Sequence, residues 1–89
     1  MTAHTSHPDI IKRLKRADGH LKSIITMLEE GRSCLDIAQQ LQAVESAVGN
    51  AKKILVHDHI DHCLDHAIRD GSKHADGAIR EFKAITKYL

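Results

Sequence analysis

Aromatic residues, cysteine and proline are scarce in this sequence. It has no Trp, one Phe, one Tyr, one Pro and two Cys in 89 residues. A chain of this length buries only about 60% of the surface that it exposes when unfolded, so a monomer with so few large side chains would be marginally stable. Two Cys cannot build a disulfide framework, which leaves oligomerisation as the usual remedy. We therefore expect one domain over residues 1–89, with a flexible N-terminal arm at 1–6, that folds as an oligomer.

Long apolar runs are absent as well. No stretch approaches the roughly 20 residues that span a bilayer, and the N-terminus lacks the charged start and apolar middle of a signal peptide. We expect a cytoplasmic protein with reduced thiols and no membrane partner.

The charges are unevenly distributed, although the formal net charge is only +1. Between residues 10 and 22 cations predominate and Asp18 is the one acid. Between residues 57 and 70 Asp and His predominate, with Cys63 among them. The first segment therefore suits an anionic partner and the second suits a cation.

Apolar residues recur at alternating spacings of four and three, which is the pattern of amphipathic helices that pack through a heptad seam. The predicted helices cover about residues 7–30, 34–70 and 74–89. Gly31 is suited to end the first helix, and Ser33 with Asp36 resembles a capping box that opens the second. The seams comprise Ile10, Leu14, Ala17, Leu21, Ile24 and Leu28 on the first helix, and Ile37, Leu41, Val44, Val48, Ala51 and Leu55 on the second, which continues through Ile60, Leu64 and Ile68.

These seams predict an all-α fold of three helices. Two long helices joined by a short turn form an antiparallel hairpin, and a hairpin with two apolar seams cannot cover both alone. Pairing two hairpins buries the seams in a four-helix bundle, so we expect a homodimer or a dimer of dimers.

A metal site is predicted on the second helix. His59 and Cys63 are four residues apart and therefore project from one helix face, where they offer an imidazole and a thiolate to a soft metal. Cys34 lies 25 positions before His59, which is roughly 37 Å along a continuous helix, so it cannot join them within its own chain. Antiparallel second helices across a two-fold axis would bring Cys34 of one subunit to His59 and Cys63 of the other.

The same residues resemble a known family. The spacing of Cys34, His59 and Cys63 matches the ligand spacing of the CsoR/RcnR repressors, which sense copper or nickel and cobalt. The segments Arg13–His20 (RLKRADGH) and Ala38–Val44 (AQQLQAV) are similar to that family's signatures on the first and second helices. The resemblance implies an all-helical homotetramer that binds operator DNA without metal and releases it when metal binds.

The metal suggested by this resemblance is Cu(I), for which the family uses the Cys-His-Cys trio. Nickel and cobalt sensors add an N-terminal ligand, and His4 or His7 is placed to supply one here; His62 is a further candidate. The sequence differs from copper sensors at Ser33, where they often have Tyr, and at Ile79, near a position where they carry a supporting Glu. Two thiolates and an imidazole suit Cu(I), whereas a further nitrogen suits Ni(II), Co(II) or Zn(II).

The DNA-binding residues are predicted on the first helix, where few acids compensate the cations. The resemblance assigns DNA contacts to Arg13, Lys15 and Arg16, and to Lys53 on the second helix; Lys12 belongs to the same basic segment. No helix-turn-helix is evident, so we expect contacts mainly to phosphates.

Three other functions fit parts of the sequence. A disulfide or persulfide between Cys34 and Cys63, or reaction of Cys34 with an aldehyde, would make a thiol-responsive repressor, although such a switch does not require His59. A metal carrier or storage protein would not need the basic first helix. A zinc hydrolase would need a cleft that a helical hairpin does not offer, so we expect neither an enzyme nor a small-molecule substrate.

Overall fold

The computed structural model describes residues 6–70 and 72–89, and it is all-α over those residues. It contains α1 (His7–Glu29), α2 (Cys34–Asp70) and α3 (Ser72–Ile85), followed by a 3₁₀ turn at Thr86–Tyr88. The predicted three-helix, all-α class is confirmed. The third helix begins two residues earlier than the sequence indicated, and its last residues form the 3₁₀ turn instead of α-helix. None of these helices is both long and apolar enough to cross a membrane.

The turn between α1 and α2 is defined by two local signals. Gly31 has a φ of 72°, and its N–H donates to the Leu28 carbonyl while the N–H of Arg32 donates to that of Met27. This pair of bonds is a Schellman motif, which needs a left-handed residue and therefore favours glycine. Ser33 then caps α2, because its Oγ accepts a hydrogen bond from the Asp36 N–H at 3.1 Å.

The chain divides into two compact units that meet within α2. The hairpin unit comprises Pro8–Lys52, and the α3 unit comprises Lys53–Leu89 together with Ser6 and His7. In the hairpin unit Ile24 of α1 packs with Ile37 and Val44 of α2, and Met27 covers them. His20 contacts Gln40, and Arg13 shares a pocket with Asn50. Residues earlier in α1 therefore lie beside residues later in α2, which is the arrangement of an antiparallel hairpin.

Only one half of each predicted seam is buried in the chain. Every seventh residue on the two helices is buried, and the seam residues between them are exposed. The buried set is Ile10, Ala17, Ile24, Ile37, Val44 and Ala51, and the exposed set is Leu14, Leu21, Leu28, Leu41, Val48 and Leu55. The second set consists of exposed apolar side chains at heptad spacing on each helix, and it is called here the exposed seam.

The continuation of the seam in the α3 unit differs from the prediction. Leu64 is exposed and Ile68 is 80% exposed, whereas Val56 and Cys63 are buried. Val56 and Cys63 are also seven residues apart, so the helical period is retained but the buried face of α2 is a different one. The reason is α3, whose Ala78 and Phe82 line the cavity that Cys63 also lines.

Candidate metal centre

His59, Cys63 and Glu81 form a cluster of possible metal ligands. The imidazole, thiol and carboxylate each offer one atom, and these three atoms lie within 4.8 Å of one another. Oε2 of Glu81 is 3.5 Å from Nε2 of His59 and 3.7 Å from Sγ of Cys63. His59 and Cys63 come from successive turns of α2, and Glu81 comes from α3. The predicted i, i+4 pair on α2 is therefore brought together with a residue from another helix.

Glu81 is the residue that the sequence analysis missed. The sequence has Ile79 near the position where copper sensors carry a supporting Glu, and the structure brings the carboxylate of Glu81, two residues further on, to the predicted pair. Ile79 lies against an apolar cavity beside Cys63, while Glu81 reaches both His59 and Cys63. The sequence did contain a signal for this residue. Glu81 follows Ala78 by three residues, so it flanks the apolar face of α3.

Cys63 is shielded from solvent. Its exposed fraction is 3%, and it lies at the edge of an apolar cavity of about 350 Å³ whose wall comes from α2 and α3. The residues lining this cavity are Cys63, Leu64, Ala78, Ile79, Phe82 and Lys83. A thiol in such a place is a packed side chain as well as a possible ligand.

The surroundings of Cys63 raise the pKa of its thiol above the ordinary value of 9.0. Burial is the largest cause, because it penalises the charged thiolate. The negative charge of Glu81 and the hydrogen bond that the thiol donates to Glu81 act in the same direction. The neutral thiol is therefore the resting form, and a metal that binds here must displace its proton.

Cys34 lies apart from this cluster. It is the first residue of α2, directly after the Ser33 cap, and its side chain is exposed. It belongs to the hairpin unit, whereas His59, Cys63 and Glu81 belong to the α3 unit. The described residues thus group two of the three predicted ligands, and the third is exposed at the start of α2.

The other predicted ligands have different surroundings. His4 lies outside the described residues. His7 is exposed at the start of α1, and the preceding residue, Ser6, donates a hydrogen bond of 2.8 Å to Asp58. That bond fixes the beginning of α1 beside the residue that precedes His59. The His62 ring lies 6.4 Å from that of His59, centre to centre, with a tilt of 45°.

The predicted DNA-binding side chains are all exposed. No ion pair joins Lys12, Lys15 or Arg16 to another described residue, whereas the Arg13 Nε donates to Asp9 at 2.8 Å. Arg13 and Arg16 lie on the hairpin unit, and Lys53 begins the α3 unit. α1 therefore presents these cations to solvent, outside its buried face.

Known proteins resemble this chain over nearly its whole length. A family model described as metal-sensitive transcriptional repressor matches residues 6–88. The copper-sensing transcriptional repressor RicR of Mycobacterium tuberculosis is 37% identical over 78 residues, which are 88% of this chain and 81% of the relative. The nickel-responsive transcriptional regulator InrS has a similar structure with a TM-score of 0.84, at 26% identity, over 100% of this chain and 99% of the other. The Cu(I) form of CsoR from Geobacillus thermodenitrificans has a TM-score of 0.79 and 32% identity, over 98% of this chain and 88% of the other.

Helical architecture, a thiol-imidazole pair and these similarities define a metal-responsive repressor of transcription. The chain belongs to the metal-sensitive transcriptional repressor family, also known as the CsoR/RcnR family.

Proposed function

We propose that this protein represses transcription by binding operator DNA without metal, and that it releases the DNA when Cu(I) binds between two subunits. The ligands would be His59 and Cys63 of one subunit and Cys34 of the partner subunit. The observation that carries this proposal is the convergence of His59 and Cys63 in one cluster while Cys34 is exposed at the start of α2.

The donor set favours a soft ion. Two thiolates and one imidazole are the ligands that Cu(I) prefers, and the apolar wall around Cys63 excludes water from one side of the site. The Cu(I)-bound relative supports this choice, because it shares 32% identity and the fold with this chain.

Glu81 contributes by holding the imidazole. Its carboxylate faces Nε2 of His59, so a hydrogen on Nε2 leaves Nδ1 as the coordinating atom. Carboxylates that hold a ligand histidine in this way fix its tautomer and the orientation of its ring. In this proposal Glu81 is therefore a positioning residue for His59.

The intersubunit site is supported by the continuity of α2 and by the exposed seam. α2 is uninterrupted from Cys34 to Asp70, so Cys34 and His59 cannot approach each other within one helix. The exposed seam offers an apolar surface that a second hairpin would cover, giving the four-helix bundle and, by further pairing, a tetramer. The third ligand would then come from the neighbouring subunit.

DNA binding is assigned to the exposed cations of α1. Lys12, Arg13, Lys15 and Arg16, with Lys53 of α2, would contact operator phosphates in the cytoplasm, where the DNA lies. Ligation of Cys34 to the partner's site would shift the basic surfaces of the two subunits relative to each other. Such a coupling between two sites is typically worth about 1–3 kcal/mol.

A divalent signal is the second candidate, and two observations favour it. Glu81 adds an oxygen to the nitrogen and sulfur of the cluster, which suits Zn(II), Co(II) or Ni(II) better than Cu(I). The bond from Ser6 to Asp58 brings the start of α1 close to the residue before His59, which favours an added nitrogen ligand from the N-terminal segment. The nickel-responsive structural relative is consistent with this alternative.

One titration distinguishes these candidates. The reduced protein is bound to a labelled duplex from the promoter of its own gene, and Cu(I), Ni(II), Co(II) and Zn(II) are added separately at buffered free concentrations. We expect Cu(I) to release the duplex at the lowest free concentration. Release by a divalent ion alone would establish the second candidate. If no metal releases the duplex and an oxidant or persulfide does, the sensor is thiol-responsive and the metal proposal is wrong.

A further inference from the structure

A second pocket lies in the hairpin unit, on the face of α1 that carries the arginines. It has a volume of about 190 Å³ and is formed by α1 and α2. The residues lining it are Arg13, Arg16, Ala17, His20, Ala47 and Asn50. No acidic residue lines it, although Asp9 is bonded to Arg13 at its edge.

The lining is rich in hydrogen-bond donors. Arg13 and Arg16 lie on successive turns of α1, and Asn50 adds a side-chain amide from α2. Guanidinium groups bind phosphate oxygens through two parallel hydrogen bonds, and an amide adds a neutral donor. Ala17 and Ala47 have small side chains, so the space between these donors is open. At about 30 Å³ per water molecule, the volume accommodates a phosphate group.

Two contacts hold the pocket in shape without a ligand. His20 contacts the side-chain oxygen of Gln40, which fixes the imidazole ring at the side of the pocket. Asp9 accepts the hydrogen bond from Arg13 at 2.8 Å. The first contact uses the Nε2 hydrogen of His20 and holds the ring in the pocket wall. The second contact occupies a donor, because a phosphate must compete with the Asp9 carboxylate for Arg13.

We propose that this pocket binds one phosphate group of the DNA backbone, with Asn50 as a contact in addition to Arg13 and Arg16. The inference rests on the proposed DNA-binding function and assigns a specific place to one of its contacts. Asp9 lowers the affinity by pairing with Arg13 in the free protein.

The surroundings favour a phosphate within a polymer over a free anion. Lys12 and Lys15 lie on the same helix and are exposed. Neither forms an ion pair with another described residue. They extend the positive surface beyond the pocket, where the neighbouring phosphates of a duplex would lie. A phosphate held in the pocket would fix the register of the backbone on α1.

The first test compares two isosteric changes on α2. Asn50→Asp introduces a carboxylate into the pocket, and Gln42→Glu introduces the same charge at an exposed position of the same helix outside it. Binding of a duplex of arbitrary sequence is measured by fluorescence anisotropy over a range of salt concentrations. We expect Asn50→Asp to weaken binding about tenfold more than Gln42→Glu, because a hydrogen bond to a charged group is replaced by repulsion. Circular dichroism should be unchanged in both.

The second test releases Arg13. Asp9→Asn removes its carboxylate partner, and Asp18→Asn removes the same charge from the exposed pair that Lys22 forms at 3.2 Å outside the pocket. Exposed ion pairs are worth little, so we expect Asp9→Asn to raise duplex affinity about two- to fivefold. Asp18→Asn should raise it less, because it removes negative charge without freeing a pocket residue.

Titration with inorganic phosphate gives a readout that needs no DNA. In the NMR spectrum of the wild-type protein, inorganic phosphate should shift the side-chain amide signal of Asn50. It should leave the side-chain amide signal of Gln42 unchanged. If Asn50→Asp and Gln42→Glu weaken duplex binding equally, the DNA assignment is wrong even where phosphate shifts Asn50. If the wild-type protein binds no duplex, including its own promoter, the proposed repressor function fails, and the DNA assignment fails with it.

Discussion

Oε2 of Glu81 lies 3.5 Å from Nε2 of His59, so a carboxylate on α3 faces the imidazole of α2. The His59 side chain is 26% exposed, so the imidazole is partly accessible to solvent. The same carboxylate accepts a hydrogen bond from Cys63 at 3.7 Å. One residue of α3 therefore influences both candidate ligands of α2.

Replacing Glu81 by Gln should weaken Cu(I) binding about tenfold, which is the lower end of the effect of losing a residue that supports a ligand histidine. The change also lowers the pKa of Cys63, because one negative charge is removed. A lower pKa favours the thiolate and so favours metal binding, but we expect this gain in affinity to be smaller than the loss from the unsupported imidazole. Burial is the largest cause of the raised pKa, and it persists in the variant.

Competition with a Cu(I) chelator measures this loss, and Asp76→Asn is the matched control because it removes the same charge from an exposed position on α3. Equal Cu(I) affinities for Glu81→Gln, Asp76→Asn and the wild type would mean that Glu81 does not support the site.

The two thiols should differ in reactivity and in their effect on stability. Cys34 is exposed and Cys63 is buried, so iodoacetamide should modify Cys34 first, as followed by mass spectrometry. Because folding raises the pKa of Cys63, its contribution to stability is fully present below pH 9 and is lost as the pH rises above that value.

Urea unfolding at pH 7.5 and pH 10 under reducing conditions tests the pH dependence. The wild type should lose more stability at pH 10 than Cys63→Ala does, while Cys34→Ala should behave like the wild type. If Cys63→Ala loses as much stability at pH 10 as the wild type does, the loss of stability at high pH comes from other groups.

Assembly should depend on the exposed seam. Leu41→Glu places a charge in the middle of this apolar surface without altering a buried residue, so the variant should remain helical but dissociate to monomers. Gln42→Glu, at the adjacent position, should keep the assembly of the wild type. Light scattering coupled to size exclusion measures both, and an unchanged mass for Leu41→Glu would show that another surface pairs the subunits.

Cys34 should act in trans. Cys34→Ala and Cys63→Ala should each bind the promoter duplex like the wild type and respond poorly to metal. In a heterodimer of the two variants, one site lacks both thiols and the other keeps all three ligands. Mixing should therefore restore about half of the high-affinity metal sites per heterodimer, provided that subunits exchange. If exchange of subunits is demonstrated and mixing restores no high-affinity metal sites, the intersubunit site is contradicted.

Glycine at position 31 should be required for stability. Its φ of 72° belongs to the left-handed region, so Gly31→Ala should lower the free energy of unfolding by about 1 kcal/mol. Gly19 lies within α1 and has open space around an added methyl group, so Gly19→Ala should raise stability by about 0.5–1 kcal/mol. Thermal unfolding of both variants checks the opposite signs; a stabilised Gly31→Ala would contradict the Schellman turn.

Local signals in the sequence determined the helices and half of the metal site. The heptad spacing placed α1 and α2, and the turn between them followed from Gly31 and Ser33, because a left-handed residue and a side-chain cap are requirements of the backbone itself. His59 and Cys63 were predictable for the same reason: residues four apart share a helix face wherever the helix lies. These inferences depend only on the geometry of a single helix.

Tertiary structure decided what no single helix contains. Which half of each seam is buried depends on the rotation of α1 against α2, and the change of buried face to Val56 and Cys63 depends on where α3 packs. Glu81 joined the site because α3 places it beside α2, a contact between residues 18 and 22 positions apart in the sequence. Periodicity specifies that an apolar face will be covered, but the covering element and its neighbours follow only from packing.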